Sequence, residues 1–468
     1  MLFDIDKKDP QHPALVEESG AEVGYGILVS IFEEIHEVIP KRELVFCLCR
    51  NVNSSLAGFL ALYDNKDVCL LLSDSIDRAL LSSLDETYQP SYYWKPENSS
   101  IPVTTENVYQ LDEYVLCKTG RHAPEMDIRL SMLMTTSGTT GSPKLVRYKY
   151  GNIESNAKNV ASIFGWSEEE RGILDLPMQY TMGLNVICSH LYAGATVLLT
   201  GSSLMNPQFW AYIKQQQGTN FTGVPFSYEV LKKLRFQKMD LPYLKTMAEG
   251  GGKMSDELFA SFAKFAAESG KRFFATFGTT ETSARLAYLE PEEATTHCGS
   301  IGKAIPEGKL YLIDETGNKI SSPDVEGELV YEGPNVTMGY AESKQDLQKG
   351  EEFDGVYQTG DLAKMDNDGN YYIVGRKKRF LKLFGLRVSL DQVESMITEE
   401  FQLSCACTGN DQIMDIFIES KTMKKEVLEF VSTKTGLLKK SFEVHSIERI
   451  PRFESGKINY KQLNFETL

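Results

Sequence analysis

The sequence predicts an α/β protein with a large N-terminal domain of α/β subdomains and a small α+β C-terminal domain. Three observations predict it. Strand-like apolar runs alternate with helical segments through most of the chain, as they do where strands are packed between helices. After about residue 300 the pattern changes to short strands separated by turns, which marks a β-rich subdomain over about 300–375. A basic cluster, Arg376-Lys377-Lys378-Arg379, then precedes a compact tail over 380–468.

The elements follow in order. Leu44 to Leu48 and Val68 to Leu72 are continuous apolar runs of strand length, and Ser54 to Tyr63 between them has helical character. Residues 130–135 form another strand, ending in a loop rich in Gly, Ser and Thr. Ala195 to Leu199 and Arg272 to Thr276 are further strands, with helices at 207–217 and 255–269 between them. Lys309 to Asp314 and Gly327 to Tyr331 are the short strands of the β-rich part, and helices at 389–400 and near 423–435 fill the tail.

Composition narrows the function classes. With 468 residues, 42% of them apolar and 24% charged, the chain has the composition of an ordinary globular protein of two or three domains. Its formal charge of −16 argues against broad nucleic-acid or anionic-membrane binding, though a local phosphate site remains open. The first ten residues lack a basic region followed by an apolar run, so no signal peptide is expected. No stretch approaches the roughly 18 apolar residues of a membrane helix. The eight cysteines include no CxxC. The pairs Cys47/Cys49 and Cys405/Cys407 lie in apolar, strand-like surroundings, so buried reduced thiols and a cytoplasmic location are expected. The six histidines have no ligand spacing, and none is assigned to a metal.

The loop over 135–144 reads Thr135-Thr136-Ser137-Gly138-Thr139-Thr140-Gly141-Ser142-Pro143-Lys144. Glycines let a backbone turn back and aim successive N–H groups at an anion. Hydroxyls add donors and Lys144 adds charge. The spacing is not that of a Walker A loop, which weakens a P-loop kinase reading.

This loop closely resembles the signature loop of the adenylate-forming superfamily: acyl-CoA synthetases, the adenylation domains of peptide synthetases, and luciferases. Further motifs follow in that family's order over nearly the full length. Phe277-Gly278-Thr279-Thr280-Glu281 resembles its aromatic-Gly-x-Thr-Glu motif, with Phe where Tyr is usual. Gly250-Gly251-Gly252, Tyr357-Gln358-Thr359-Gly360-Asp361, Gly375-Arg376 and Pro451 to Lys457 resemble four more.

The resemblance implies ATP and Mg²⁺ as cofactors, and it implies roles. Thr136, Ser137, Gly138, Thr139, Thr140, Gly141 and Lys144 hold phosphates, and Phe277 and Gly278 border adenine. Thr280 bonds phosphate and Glu281 takes the metal, a hard oxygen ligand for a hard cation. Gly251 and Gly252 border adenine and the acyl pocket, Asp361 accepts the ribose hydroxyls, and Arg376 reaches ribose or phosphate. Lys457 is the adenylation lysine.

The resemblance also divides the chain into an AMP-binding domain, 1–375, a hinge, 376–379, and a mobile lid, 380–468. Lys378 falls at the pivot, and Lys382 and Gly385 fall on the loop serving the thiol step. In peptide-synthetase relatives an aspartate after the Leu-Pro core anchors the substrate's α-amine. The comparable stretch here, Leu176 to Leu184, has Tyr180 and Gly183 as pocket candidates and no aspartate, which disfavours an α-amino acid. The expected activity is therefore acid–thiol ligation with coenzyme A or a separate carrier protein as acceptor. A luciferase-type monooxygenase and a non-catalytic nucleotide- or acyl-binding regulator are the rival readings.

Overall fold

The computed structural model describes residues 1–135, 144–377, 379–383, 386–453 and 456–463. Two large sheets share a layer of helices. One has nine strands, in the order Lys303–Ala304, Ala287–Leu289, Arg272–Phe277, Thr246–Glu249, Asn220–Gly223, Arg171–Leu174, Thr196–Leu199, Pro13–Glu17 and Glu22–Gly24. From Arg272–Phe277 through Pro13–Glu17 the neighbours are all parallel. The other has eight strands, with Leu130–Thr135, Val68–Ser73, Leu44–Cys49 and Tyr92–Pro96 forming its parallel centre. Strands buried on both faces need apolar residues throughout, which is why these segments read as unbroken hydrophobic runs.

Helices Tyr25–Val38, Asn53–Asp64 and Thr181–Ala193 fill the space between the sheets and join them in one core. The helix Asn53–Asp64 is buried along almost its whole length and has no polar stripe, as a fully enclosed helix requires. Helices Pro207–Gln215, Pro225–Lys233 and Asp256–Glu268 cover the far face of the nine-stranded sheet.

The β-rich region is a five-stranded antiparallel sheet ending in Val356–Met365 and Tyr371–Arg376. Beyond it, the hairpin Phe380–Leu383/Leu386–Ser389, a three-stranded sheet and helices Leu390–Phe401 and Lys424–Thr435 pack around their own core, including Leu383, Val393, Ile397, Ile416 and Val431. The thiols of both CxC pairs are buried, as their strands dictate. Among the described residues no helix is long and apolar enough to cross a membrane.

Candidate active site

Parallel strands leave their carboxyl ends and the following loops free to build a site. The strand Arg272–Phe277 ends at Gly278, where a Cβ would lie 1.3 Å from the Ala284 carbonyl oxygen. Only glycine lets the chain fold back so tightly. Thr279 then caps the short turn Thr280–Thr282, which presents Thr280 and Glu281 half-buried. The turn is pinned from outside: the Tyr148 hydroxyl donates to the Thr280 carbonyl (2.7 Å), and the Thr337 N–H donates to that of Glu281 (2.9 Å). The Tyr340 hydroxyl donates to Glu281 Oε1 at 2.8 Å and lies 3.4 Å from the Tyr357 hydroxyl. Burial, then the nearby Glu281 charge, push the Tyr340 phenol well above its ordinary pKa, so it stays a donor.

Lys144 reaches the same spot by strand pairing. Leu145–Lys149 runs antiparallel to Gly339–Ala341, with Leu145 opposite Ala341. Lys144 Nζ therefore sits 3.7 Å over the Tyr340 ring and 3.9 Å from Glu342. Thr136, Ser137, Gly138, Thr139, Thr140 and Gly141 lie outside the described residues.

Asp361 and Arg376 face each other across the hairpin of their two strands, and Arg376 Nε is 3.0 Å from Asp361 Oδ1. Asp361 is 4% exposed. Burial raises its pKa, Arg376 opposes that rise, and Asp391 and Glu281 add to it. Asp361 thus lies within the electrostatic reach of Glu281. Farther along, Arg379 bridges Asp391 and Glu394, each at 2.8 Å, with its guanidinium 4.0 Å from the Tyr460 ring centre. Lys378 and Gly385 lie outside the described residues. Lys382 belongs to the hairpin strand Phe380–Leu383, and its side chain is outside the description too.

Lys457 comes from the far end of the chain. The loop that carries it is closed by a bridge between Arg452 and Ile458, and the Phe453 N–H donates to the Lys457 carbonyl at 2.8 Å. It docks on the start of helix Pro225–Lys233: Arg452 stacks 5.0 Å from the Phe226 ring centre, and a Cβ on Gly456 would lie 2.8 Å from Val224. The Lys457 side chain is solvent-accessible. The protein mass around its ammonium and then Arg376 still lower its pKa, while Glu281 and Asp361 pull the other way. Lys457, Arg376, Asp361 and Glu281 therefore share one electrostatic neighbourhood, although they span two domains.

Gly250, Gly251 and Gly252 follow the strand Thr246–Glu249. Gly251 has φ +82°, and a Cβ on it would lie 2.9 Å from Met182 Cε; one on Gly252 would face Pro225 at 3.4 Å. Phe277 is half-buried at the end of its strand. Tyr180 precedes helix Thr181–Ala193. Gly183 is buried in that helix, where a Cβ would meet the Pro177 carbonyl oxygen at 2.3 Å, so close helix-to-loop packing accounts for the glycine.

Three further residues were not pointed to by the sequence: Tyr340, which bonds Glu281, and two separately buried charged residues, Glu249 directly before Gly250 and Arg285 four residues after Glu281. Tyr340 owes its place to pairing with a strand nearly two hundred residues away, which no local pattern records. A charged residue directly before Gly250-Gly251-Gly252, at the end of an apolar strand, was the available signal for Glu249.

A parallel sheet whose carboxyl edge meets a small C-terminal domain, with Lys, Arg, Asp and Glu drawn to the seam, defines the class as the adenylate-forming enzymes. The chain belongs to the family of AMP-binding enzymes, whose family model matches residues 63–341. An indoleacetate–CoA ligase from Aromatoleum aromaticum is 28% identical over 341 residues, which make up 70% of this chain and 65% of that one, just under two thirds of the relative's length. A 2-succinylbenzoate–CoA ligase from Bacillus cereus is 25% identical over 451 residues, 93% of this chain and 91% of that one. The o-succinylbenzoate CoA synthetase of Bacillus subtilis, solved with its acyl-adenylate intermediate, has the same fold: TM-score 0.77 at 20% identity, covering 98% of this chain and 96% of that one. The same synthetase has been solved with ATP and a magnesium ion, with a TM-score of 0.75 at 20% identity over 98% of each chain.

Proposed function

We propose that the chain is an ATP-dependent acid–thiol ligase that adenylates a carboxylic acid and passes the acyl group to coenzyme A. The observation that carries this reading is that the Lys457 loop of the small domain docks on Phe226 and Val224 of the large one, which brings Lys457 within electrostatic reach of Glu281, Asp361 and Arg376. In the first step a carboxylate oxygen attacks the α-phosphorus of ATP and pyrophosphate leaves. Attacker and target are both anionic, so charge and positioning dominate the barrier. Lys457 bridges the carboxylate and an α-phosphate oxygen as the mixed anhydride forms. Asp361 accepts the ribose hydroxyls, steadied by Arg376, and Phe277 with Gly250 to Gly252 borders the adenine. Lys144 and the loop over 136–141 hold the leaving phosphates.

The donor set suits Mg²⁺. Glu281 offers a half-buried carboxylate of which Oε1 takes the Tyr340 hydroxyl, leaving Oε2 toward a hard cation that usually takes one or two protein carboxylates. Bound there, magnesium supplies positive charge to the departing phosphates.

In the second step the thiol sulfur attacks the acyl carbonyl and AMP leaves. That attack needs the space Lys457 occupies. The separate core of the small domain supports rotation of 380–468 against 1–375 about residues 376–379, with Lys378 as pivot. The rotation withdraws Lys457 and brings in the segment of Lys382 and Gly385. Tyr180, Gly183 and Gly252 border the acyl pocket, and the lack of an acidic residue at Tyr180 favours an acid without an α-amine. Reduced, buried thiols and the acidic composition support a cytoplasmic setting.

The test is ATP–pyrophosphate exchange over a panel of acids, followed by thioester formation with coenzyme A or a carrier protein. Lys457→Ala lowers exchange by roughly 10²–10³ while sparing thioester formation from supplied acyl-AMP. Equal loss in both half-reactions overturns the two-state scheme. ATP binding with no exchange on any acid favours a regulator, and transfer to a carrier protein alone replaces coenzyme A as acceptor.

A further inference from the structure

Arg285 is 4% exposed, and for a guanidinium it is poorly provided for. Nη2 reaches Thr222 Oγ1 at a long 3.3 Å, and the group lies 4.6 Å from the Phe164 ring centre. Nε is buried with no hydrogen-bond partner, and no carboxylate lies within ion-pair distance among the described residues. Its backbone, by contrast, is fixed: the side-chain amides of Asn156 and Asn335 donate to its carbonyl at 2.7 and 3.2 Å. A buried charge without a partner is among the costliest features a fold can carry.

Its position gives the cost a purpose. Thr222, Ala248 and Phe274 are in register across three parallel strands. Gly250 and Thr276 stand two residues farther along their strands, so they share that face and lie about 7 Å nearer the carboxyl edge. A Cβ on Gly250 would come within 2.6 Å of Thr276 Oγ1 and 3.2 Å of Met182 Cε. Gly250, Thr276 and Met182 thus gather at the carboxyl edge, and Arg285 lies beside Thr222 one level below them on the same face.

Building on the adenylation reading, we infer that Arg285 determines acid specificity and that the acid carries a second carboxylate, which the guanidinium receives while the reacting carboxylate lies at Lys457. A guanidinium matches a carboxylate with two parallel N–H donors. The step of about 7 Å between those two levels fits a compact diacid whose carboxyl groups are a few carbons or one ring apart. Glu249, buried one residue before Gly250, has the opposite option: its carboxyl holds its proton, with a pKa pushed up by burial to about 8. A guanidinium keeps its charge at neutral pH even with its pKa drawn down by burial to about 9, so its balancing anion has to arrive from outside.

The experiment pairs acids of matched shape with the full chain: succinate, glutarate and phthalate against butyrate, valerate and benzoate. Exchange by the wild type favours the diacid of at least one pair by about 100-fold or more in kcat/KM. Arg285→Met loses about 10²–10³ on that diacid and gains on its monoacid, with Arg285→Lys between them. Melting gives a second readout: Arg285→Met melts no lower than the wild type, and the diacid raises the melting temperature of the wild type only. Exchange confined to monoacids, or a preference unchanged in Arg285→Met, overturns the inference and leaves the adenylation reading standing. Diacid-specific stabilisation lost in Arg285→Met, with no exchange on any acid, keeps the Arg285 site and sinks the adenylation reading. Neither exchange nor diacid-specific stabilisation sinks both.

Discussion

Arg147 and Arg285 are both buried arginines, at 0% and 4% exposure, yet their surroundings differ in kind. Arg147 makes four hydrogen bonds through its guanidinium. It donates to the carbonyls of Tyr340 (2.9 Å), Gly350 (3.2 Å) and Lys349, and pairs with Glu352 at 2.6 Å. It ties the strand Leu145–Lys149 to the segment over 340–352, and so holds Tyr340 against Glu281. Arg285 has one long hydrogen bond and one ring. A buried cation with most of its donors used is part of the frame; one left short of acceptors is reserved for something that binds.

The comparison breaks most readily at Arg147. Arg147→Met strips a donor from three carbonyls and a partner from Glu352, and costs about 3 kcal/mol. Arg285→Met removes an unpaired charge and is neutral or stabilising by about 1 kcal/mol. Urea denaturation of the two variants side by side checks the difference, and equal destabilisation would erase it.

Glu249 sharpens the same contrast for an anion. Folded, its carboxyl keeps its proton to about pH 8, against an ordinary value of 4.5. The folded chain therefore binds more protons than the unfolded one between those values, and this group's contribution to stability is lost as pH rises through the window. Glu249→Gln removes that loss, so the variant gains on the wild type by an amount on the order of a few kcal/mol between pH 5 and 9. Denaturation midpoints at several pH values measure it; parallel pH curves would show that Glu249 ionises normally.

The smallest effect is expected at Tyr340. Tyr340→Phe keeps the ring beneath Lys144 and removes only the hydrogen bond to Glu281, worth about 1 kcal/mol. A several-fold rise in the magnesium–ATP concentration needed for exchange, with the rate at saturation nearly kept, is the expected reading. An unchanged requirement would mean that the hydroxyl does not orient the carboxylate.

Much of the molecule was legible in the chain itself. Parallel strands buried on both faces must be apolar throughout, so Leu44–Cys49, Val68–Ser73 and Leu130–Thr135 announced themselves. Turn motifs such as Phe277 to Glu281 and Tyr357 to Asp361 are also local, because glycines and short polar side chains encode the backbone there. Pro13–Glu17 gave no such signal: it is too short for a period, and it joins the nine-stranded sheet through Thr196–Leu199, far along the chain.

By itself, then, the sequence determined the α/β class, the order of the motifs and the identity of the charged groups. Tertiary structure alone decided how each charge is balanced. The Tyr340 hydroxyl on Glu281, the docking of the Lys457 loop on Phe226 and the isolation of Arg285 beside Thr222 all join residues from distant segments. Backbone preference is written in neighbouring residues, whereas desolvation and charge pairing depend on whatever the fold brings alongside.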